Sequence, residues 1–144
     1  RKKFDYLIIS TGMSTELEIE NCVKVCNPDV IMHTNSTYPS PINELNLNYL
    51  NWLKEKYKRE IGYSGHEYGL ITTFATVPMG VTWIERHITI DRTLWGSDQV
   101  ASVEPIGLFK LVKGIRDIES ALGKSDERVL LPSEMQKLES LRGK

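Results

Sequence analysis

Two histidines stand at the ends of apolar, β-prone runs, in the signatures Ser64-Gly65-His66 and Glu85-Arg86-His87. Adjacent strands in a sheet lie about 4.8 Å apart, so imidazoles at two neighbouring strand ends can share one metal ion. Glu85 could be a third ligand, or could orient a ligand or bind substrate. Imidazole, carboxylate and water suit a divalent first-row metal, and Mn²⁺ or Mg²⁺ is favoured where substrate oxygen also binds. The spacing therefore predicts a divalent metal site at His66 and His87.

Hydroxyl and amide groups form a second set of candidates, because each of them follows a predicted strand. Uncharged donors that converge at strand ends can hold a phosphate or a carboxylate. The same residue types are also ordinary turn formers, so their spacing alone favours neither interpretation. The set comprises Ser10, Thr11, Gly12, Asn35, Ser36, Tyr38 and Ser64.

Three other residues of reactive types are assigned structural roles. His33 also ends a predicted strand, but a lone histidine there is more often hydrogen-bonded within the fold than bound to metal. Cys22 and Cys26 lie four apart on a predicted helix. They would share a face and fill part of a core rather than form a bridge or bind metal.

Strand signals alternate with helix signals along the chain, which predicts parallel strands joined by crossover helices. The expected strands are residues 6–10, 30–34, 61–64 and 81–90. Thr15 and Glu18 form a capping box, and Gly123 ends the last predicted helix, which starts at Pro105. Period two along the fourth strand places on one face Trp83, Glu85, His87 and Thr89.

The unusual polar residues follow the predicted strands rather than precede them. That edge is the functional end of an α/β architecture, where barrel enzymes and open sheets bind their ligands. The candidate groups are therefore expected to share one edge of the sheet.

Composition sets the size of the fold and argues against two kinds of function. The 144 residues, 40% hydrophobic and 26% charged, suit one domain, whereas a complete eight-unit α/β barrel takes roughly 250 residues. The formal net charge of -1 argues against nucleic-acid binding. No apolar stretch approaches the roughly 20 residues that span a bilayer, and there is no signal-peptide pattern. The expected compartment is the cytoplasm.

Five runs of the sequence resemble the sialic acid synthase family, in the same order and with the same spacing. This family includes N-acetylneuraminate synthases, the 9-phosphate synthases and bacterial relatives that make other nonulosonic acids. The resemblance extends to about Leu131. The five runs are residues 9–13, 33–39, 61–67, 84–89 and 96–105.

The resemblance implies an α/β fold of about four consecutive βα units, residues 1–123, forming the C-terminal half of a TIM (β/α)8 barrel. Residues 124–144 would be a polar tail that starts the linker to the family's antifreeze-like domain. The first barrel half, with its substrate-binding lysines and carboxylates, is expected to be missing. A half-barrel exposes apolar strand edges, so we expect self-association into a homo-oligomer such as a dimer.

The resemblance also implies a reaction. Family members condense phosphoenolpyruvate with an N-acetylmannosamine-type sugar aldehyde and water, and release phosphate, with a divalent metal that polarises the aldehyde. By position, His66 and His87 would be the metal ligands and would act in catalysis together with Glu85. The residues that would bind phosphoenolpyruvate are Ser10, Ser36 and Ser64, and those that would lie near the sugar are Tyr38, Glu85 and Asp98.

Two departures from the family pattern affect this interpretation. Gly65 stands where many bacterial members carry aspartate, a form also seen in vertebrate-like 9-phosphate synthases, so the sugar could be phosphorylated. Pro78 and Met79 replace small apolar residues and are expected to shorten the preceding helix.

Because half of the barrel is expected to be missing, the chain alone is expected to lack catalytic competence, whether it is a truncated form or a partial reading frame. Two alternatives remain: a non-catalytic α/β binding or assembly module that keeps ancestral motifs, and a different metal-dependent aldol-type condensing enzyme.

Overall fold

A computed structural model describes residues 4–124 and 127–142 and shows an α/β fold with a four-stranded parallel sheet. Each strand pairs with its neighbours in the sequence, in the order β1-β2-β3-β4. The predicted alternation of strands and helices is confirmed. The elements are β1 (Ile8–Ser10), α1 (Glu16–Cys26), β2 (Val30–Thr34), α2 (Tyr49–Tyr57), β3 (Glu60–Gly65), α3 (Ile71–Thr76), β4 (Trp83–Arg86), α4 (Pro105–Leu122) and α5 (Pro132–Arg142), with 3-10 turns at Ile42–Glu44 and Gln99–Ala101.

Helix α1 begins and ends where its capping residues dictate. The Thr15 hydroxyl accepts a hydrogen bond from the Glu18 amide at 3.4 Å, and the Glu18 carboxylate accepts one from the Thr15 amide at 2.7 Å. This is the predicted capping box. Asn27 ends the helix in a left-handed conformation, with φ at 47°. Helix α4 starts at Pro105 and is capped by Gly123, as predicted.

Cys22 and Cys26 lie on one face of α1, and both are half-buried free thiols. Their sulfur atoms are 3.9 Å apart. Burial, together with the neighbouring Cys26, raises the pKa of the Cys22 thiol. The thiol of Cys22 is therefore protonated at neutral pH.

The hydrophobic core lies between one face of the sheet and the helices. Ile31 and Ile61 pair across β2 and β3, and they pack with Tyr63 against Leu50 and Leu53 of α2. Alternate strand residues point to the opposite face, because side chains along a strand alternate in direction. The core therefore anchors a sheet whose other face carries polar groups.

Those polar groups form a row across the sheet. Thr34 of β2 pairs with Ser64 of β3, and Ser64 pairs with Glu85 of β4. Since paired residues in a parallel sheet point to the same side, the three side chains lie next to one another at the carboxyl ends of their strands. The register alone thus assembles part of the predicted site.

Two aromatic side chains from the two edges of the sheet meet over this polar face. The rings of Tyr6, just before β1, and Trp83, at the start of β4, have centroids only 5.6 Å apart. The two edge strands are three steps of about 4.8 Å apart in the sheet, so the two side chains must reach over the strands between them. Glu60 joins the contact by accepting hydrogen bonds from the Trp83 indole at 2.7 Å and the Tyr6 hydroxyl at 3.4 Å. We call the polar face the concave face.

The fourth strand is shorter than the predicted range 81–90, and that prediction is wrong at residues 81 and 82 and beyond Arg86. Strand β3 ends at Gly65, which pairs with Arg86, so no partner continues along that side. The chain bonds instead to Val103, whose amide donates to the His87 carbonyl at 2.7 Å and whose carbonyl accepts from the Thr89 amide at 3.0 Å. His87 and Thr89 therefore do not share a strand face with Trp83 and Glu85.

The predicted polar tail contains a helix, α5, and this is a second difference. The Glu134 carboxylate accepts a hydrogen bond from the Leu131 amide at 3.0 Å and one from Arg128 at 2.7 Å, which holds the first turn. Neither α5 nor any other helix in the described ranges is long and apolar enough to cross a membrane. The predicted domain boundary at residue 123 and the linker remain predictions, and residues 1–3, 125, 126, 143 and 144 lie outside the described residues.

Gly62, in the middle of β3, leaves room for its neighbours on the concave face. A Cβ at this position would overlap Met32 Sδ and lie 2.9 Å from Trp83 Cβ. Any larger residue would force the two neighbouring strands or their side chains to shift.

We expect Gly62→Ala to lower the free energy of unfolding by about 1–3 kcal/mol, the usual cost of overpacking. Urea denaturation followed by circular dichroism measures this change. The control Asn51→Ala, at an exposed position on α2, should change stability by less than about 0.5 kcal/mol. Wild-type stability of Gly62→Ala would contradict the close packing described for this face.

Candidate functional site

Two imidazoles and a phenol ring meet at the carboxyl ends of β3 and β4. The ring centroids of His66 and His87 are 5.0 Å apart, and the ring planes are 80° apart. The Tyr38 ring lies 4.3 Å from His66 and 5.3 Å from His87, measured between centroids. The loop after β2 thus closes over the two histidines that follow the next two strands.

His66 is held in one orientation by the backbone. Its Nδ1 lies 2.7 Å from the Asn35 carbonyl oxygen and 3.4 Å from the Thr34 hydroxyl. A carbonyl only accepts hydrogen bonds, so Nδ1 carries the proton in this arrangement. The lone pair is then on Nε2, the atom that can bind a cation. A backbone carbonyl in this role is the usual way in which proteins orient a metal-binding histidine.

Asp98 lies beside the second histidine. Its Oδ2 atom is 3.5 Å from His87 Nδ1, and its Oδ1 accepts a hydrogen bond from the Ser97 hydroxyl at 2.6 Å. The Ser102 hydroxyl donates to the Asp98 backbone carbonyl at 2.7 Å. The loop after β4 therefore brings a carboxylate against His87.

Ser64 and Glu85 form a second pair on the concave face. The buried Ser64 hydroxyl donates to Glu85 Oε1 at 2.8 Å, and Glu85 itself is exposed. A hydroxyl has one proton to donate, and in this structure Ser64 gives it to the carboxylate. The pair presents a negatively charged group to solvent next to the imidazoles.

Ser10 and Ser36 approach each other around Gly12. The Gly12 amide donates to Ser10 Oγ at 3.2 Å. A Cβ on Gly12 would lie 2.5 Å from Ser36 Oγ, 3.0 Å from Thr34 Cγ2 and 3.4 Å from Ser10 Oγ. Glycine is thus required here by the close approach of the loops after β1 and β2.

The arrangement fits part of a divalent metal site. Two near-perpendicular imidazoles, one with its Nδ1 already engaged, can direct ring nitrogens at a common ion. Within residues 4–124 and 127–142, no group of three or more His, Cys, Asp or Glu side chains is arranged to hold a metal ion. The remaining coordination positions would have to come from water or substrate, as in catalytic sites that keep open positions. Glu85 accepts a hydrogen bond from Ser64 and does not form a three-residue metal-binding group with the two histidines.

A buried ion pair lies directly behind the histidines. The Arg86 Nη1 atom is 3.0 Å from Glu67 Oε1, and the side chains are 2% and 0% exposed. Glu67 also accepts hydrogen bonds from the hydroxyls of Tyr63, Thr72 and Thr73, at 2.7–2.9 Å. Burial opposes the charge, but Arg86 and the hydroxyl donors outweigh it and lower the pKa of Glu67. Burial and the charge of Glu67 raise the pKa of Tyr63.

Most of the chain matches a known protein family. The model of the NeuB family covers residues 1–127. The chain belongs to the NeuB family. The match includes all four strands and every candidate site residue.

Relatives of this NeuB-family chain include synthases of several related acids. Human N-acetylneuraminate-9-phosphate synthase is 40% identical over 139 residues, which are 93% of this chain and 38% of that protein. N,N'-diacetyllegionaminic acid synthase of Campylobacter jejuni is 37% identical over 124 residues, 81% of this chain and 37% of that protein. The predicted relationship to sialic acid synthases is confirmed, although the chain spans about two fifths of the length of these curated relatives.

The fold has a counterpart among solved structures. N-acetylneuraminic acid synthetase from Leptospira borgpetersenii, in complex with citrate, matches with a TM-score of 0.80 and 36% identity. The match covers 96% of this chain and 51% of that one.

The structure groups the predicted site residues in three sets, and their roles remain predictions. One set is the histidines with Tyr38 and Asp98, the second is Ser64 with Glu85, and the third is Ser10 with Ser36. Thr34 lies between the first and third sets. Its Cγ2 atom would be 3.0 Å from a Cβ on Gly12, and its hydroxyl is 3.4 Å from His66 Nδ1. The sequence interpretation missed Thr34, Glu67 and Arg86. Arg86 shares a strand face with Ile84, and only the structure shows that this face packs against the core.

His33 has the structural role predicted for it. Its Nε2 lies 2.7 Å from the Leu45 carbonyl oxygen, and its ring packs edge-on against Tyr49. The side chain is buried, and burial lowers the pKa of His33 below its ordinary value of 6.5, although the Leu45 carbonyl acts in the opposite direction. His33 of this chain is therefore neutral in the folded protein at neutral pH.

We expect acidification to destabilise this protein through His33. The unfolded chain binds a proton at the ordinary pKa of about 6.5, while the folded chain binds it only at lower pH, so stability is full above that pH and falls below it. The slope reaches at most about 1.4 kcal/mol per pH unit. Urea denaturation at pH 7, 6 and 5 should show a smaller loss for His33→Asn than for wild type. Equal losses would contradict the assignment.

Proposed function

We propose that this chain is the C-terminal half of the barrel domain of a sialic acid synthase. The parent enzyme would condense phosphoenolpyruvate with N-acetylmannosamine, or its 6-phosphate, and water, and would release N-acetylneuraminate, or its 9-phosphate, and phosphate. One observation carries the proposal: two imidazoles meet at the carboxyl ends of adjacent parallel strands, one with its Nδ1 bound to a backbone carbonyl. Family membership supports it.

His66 and His87 would hold a divalent ion, Mn²⁺ or Mg²⁺. When bound, the ion would polarise the sugar aldehyde as a Lewis acid. Tyr38 packs on both rings and would limit the space in which the aldehyde can lie. Asp98, next to His87, can orient that imidazole or accept a hydrogen bond from a sugar hydroxyl.

The serine hydroxyls would bind the anionic substrate. Ser10 and Ser36, on either side of Gly12, offer two donors to a phosphate or carboxylate group. Ser64 donates to Glu85 in the free protein, so donation to phosphoenolpyruvate would free Glu85 Oε1. That oxygen could then accept a hydrogen bond from the sugar. Binding of the two substrates would thus be coupled through one proton.

Gly65 is a poor guide to the phosphorylation of the sugar. A Cβ at this position would lie 2.7 Å from Glu67 Oε2 and 2.8 Å from Tyr63 Cε1. Position 65 therefore faces the buried ion pair and not the concave face that carries Ser64 and Glu85. The residue type here would act on that pair rather than on a sugar phosphate.

We expect Mn²⁺ binding to depend on the two site histidines. His66→Ala and His87→Ala should each weaken binding at least about tenfold, because each removes a ligand. His33→Asn changes the third histidine of the chain and should bind as wild type does. Isothermal titration calorimetry measures the affinity, and circular dichroism checks the fold. Equal binding by all four proteins would favour a non-catalytic module.

We expect this chain alone to release no phosphate from phosphoenolpyruvate above background. The sugars tested would be N-acetylmannosamine and its 6-phosphate, each with Mn²⁺, and human N-acetylneuraminate-9-phosphate synthase would be the positive control. The reason is that the relatives are more than twice as long, so half of the site is expected from outside these residues. Robust turnover would contradict the half-barrel proposal, and turnover with another aldehyde would favour a different aldol-type condensation.

A further inference from the structure

We propose that Glu67 and Arg86 are a positioning pair, which sets the distance and the angle between His66 and His87. The proposal rests on the metal-binding role proposed above for the two histidines. Glu67 directly follows His66, and Arg86 directly precedes His87. The bond between Glu67 and Arg86 therefore constrains the two histidines that adjoin them in the chain.

The Arg86 guanidinium fixes the backbone that carries His66. Its Nη2 donates to the Glu67 carbonyl oxygen at 2.7 Å, and its Nη1 donates to the Gly69 carbonyl oxygen at 2.9 Å. A guanidinium is a rigid planar fork, so two bonds to one loop define its position and its direction. The loop after β3 is thus attached to the end of β4.

The same guanidinium also reaches the segment that carries Asp98. Nη2 donates to the Ala101 carbonyl oxygen at 3.2 Å, in the 3-10 turn that follows Asp98. Nη1 contacts the Thr73 hydroxyl of α3 at 2.8 Å. Arg86 therefore connects the three segments that bear His66, His87 and Asp98, the groups that must converge on one ion or substrate.

The Glu67 carboxylate holds the guanidinium in place. Four donors reach it: Arg86 and the hydroxyls of Tyr63, Thr72 and Thr73. Ion pairs buried to this degree often contribute little net stability, and apolar side chains of similar volume can replace them. Directional bonds to three separate segments are, however, something that apolar side chains cannot provide. The pair therefore contributes to the relative positions of these segments rather than to the stability of the fold.

The pair acts through the backbone and not by contact with substrate. Arg86 pairs with Gly65 and shares its strand face with Ile84, on the side of the sheet that packs against the helices. Ser64 and Glu85 point to the concave face. Gly65 leaves the space that the Glu67 carboxylate occupies, since a Cβ there would lie 2.7 Å from Glu67 Oε2.

The test compares the affinity for Co²⁺, and its visible absorption spectrum, in wild type and three variants. Glu67→Gln and Arg86→Lys each remove one part of the pair, while Thr73→Val keeps both charges and the side-chain volume. Ile61→Val, on the core-facing side of β3, is the control for a general loss of stability. We expect the Kd for Co²⁺ to rise about tenfold or more in Glu67→Gln and Arg86→Lys, less in Thr73→Val, and not in Ile61→Val.

A second measurement does not depend on metal. Nuclear Overhauser effects between the ring protons of His66 and His87 should be present in wild type and weakened in Glu67→Gln and Arg86→Lys. If no protein binds Co²⁺, the proposed function fails, and the ring contacts still decide the positioning role. Unchanged contacts with an unchanged Kd would overturn the positioning pair.

A shorter carboxylate separates position from mere charge. Glu67→Asp keeps the negative charge but draws it back from Arg86 by one methylene, so the Kd for Co²⁺ should rise although the charge is retained. The double variant Glu67→Gln with Arg86→Lys should have a Kd for Co²⁺ no higher than that of the single variant with the lower affinity. The losses of residues that act as one unit are not additive. Additive losses together with a wild-type Kd in Glu67→Asp would overturn the proposal.

Discussion

The pairing of β3 with β4 determines both sides of the site at once. Ser64 stands opposite Glu85, and Gly65 stands opposite Arg86. One pair of positions faces the concave side, where the buried Ser64 hydroxyl donates to the exposed Glu85 carboxylate, while the next pair faces the helices, where Arg86 meets Glu67. A slip of one residue would exchange these two environments and bury the exposed carboxylate without its partner. Register is therefore the constraint on which the rest of the site depends.

Backbone groups, as well as side chains, determine how the polar residues are oriented. The Asn35 carbonyl selects the protonated nitrogen of His66, and the carbonyls of Glu67, Gly69 and Ala101 receive the Arg86 guanidinium. Loops after strands are usually free to vary because their backbone groups face water. Here those groups are used within the fold, and the loops after β2, β3 and β4 are held together by them. This explains how these loops can position several functional groups accurately.

The elements of the fold were predictable from local patterns, and the misses have physical causes. Alternating β and helical periodicity located all four strands, and Thr15 with Glu18 predicted the start of α1. The fourth strand was predicted too long because residues up to Ile90 are β-prone, yet a strand continues only while a partner is beside it. The helix in the predicted tail was missed because its sequence is polar and has no apolar stripe.

The site was predictable only in part. Histidines at strand ends were expected to converge, because strand spacing is general. The Glu67–Arg86 pair depends on which face of β4 is buried, and that becomes clear only once the core is known. The position of Asp98 depends on the path of the chain after Arg86, where the predicted strand was wrong. Contacts made by carbonyl groups, such as that of Asn35, leave no trace in residue types.

The contact between Tyr6 and Trp83 has a consequence for the order of assembly. The two rings belong to opposite ends of the sheet and are far apart along the chain, so bringing them together carries the loop-closure cost of all the intervening units. Neighbouring strand–helix units can form first, since their contacts are local in sequence. We expect this ring contact to form last, after the strands have paired, and the environment of the Trp83 indole to report that final step.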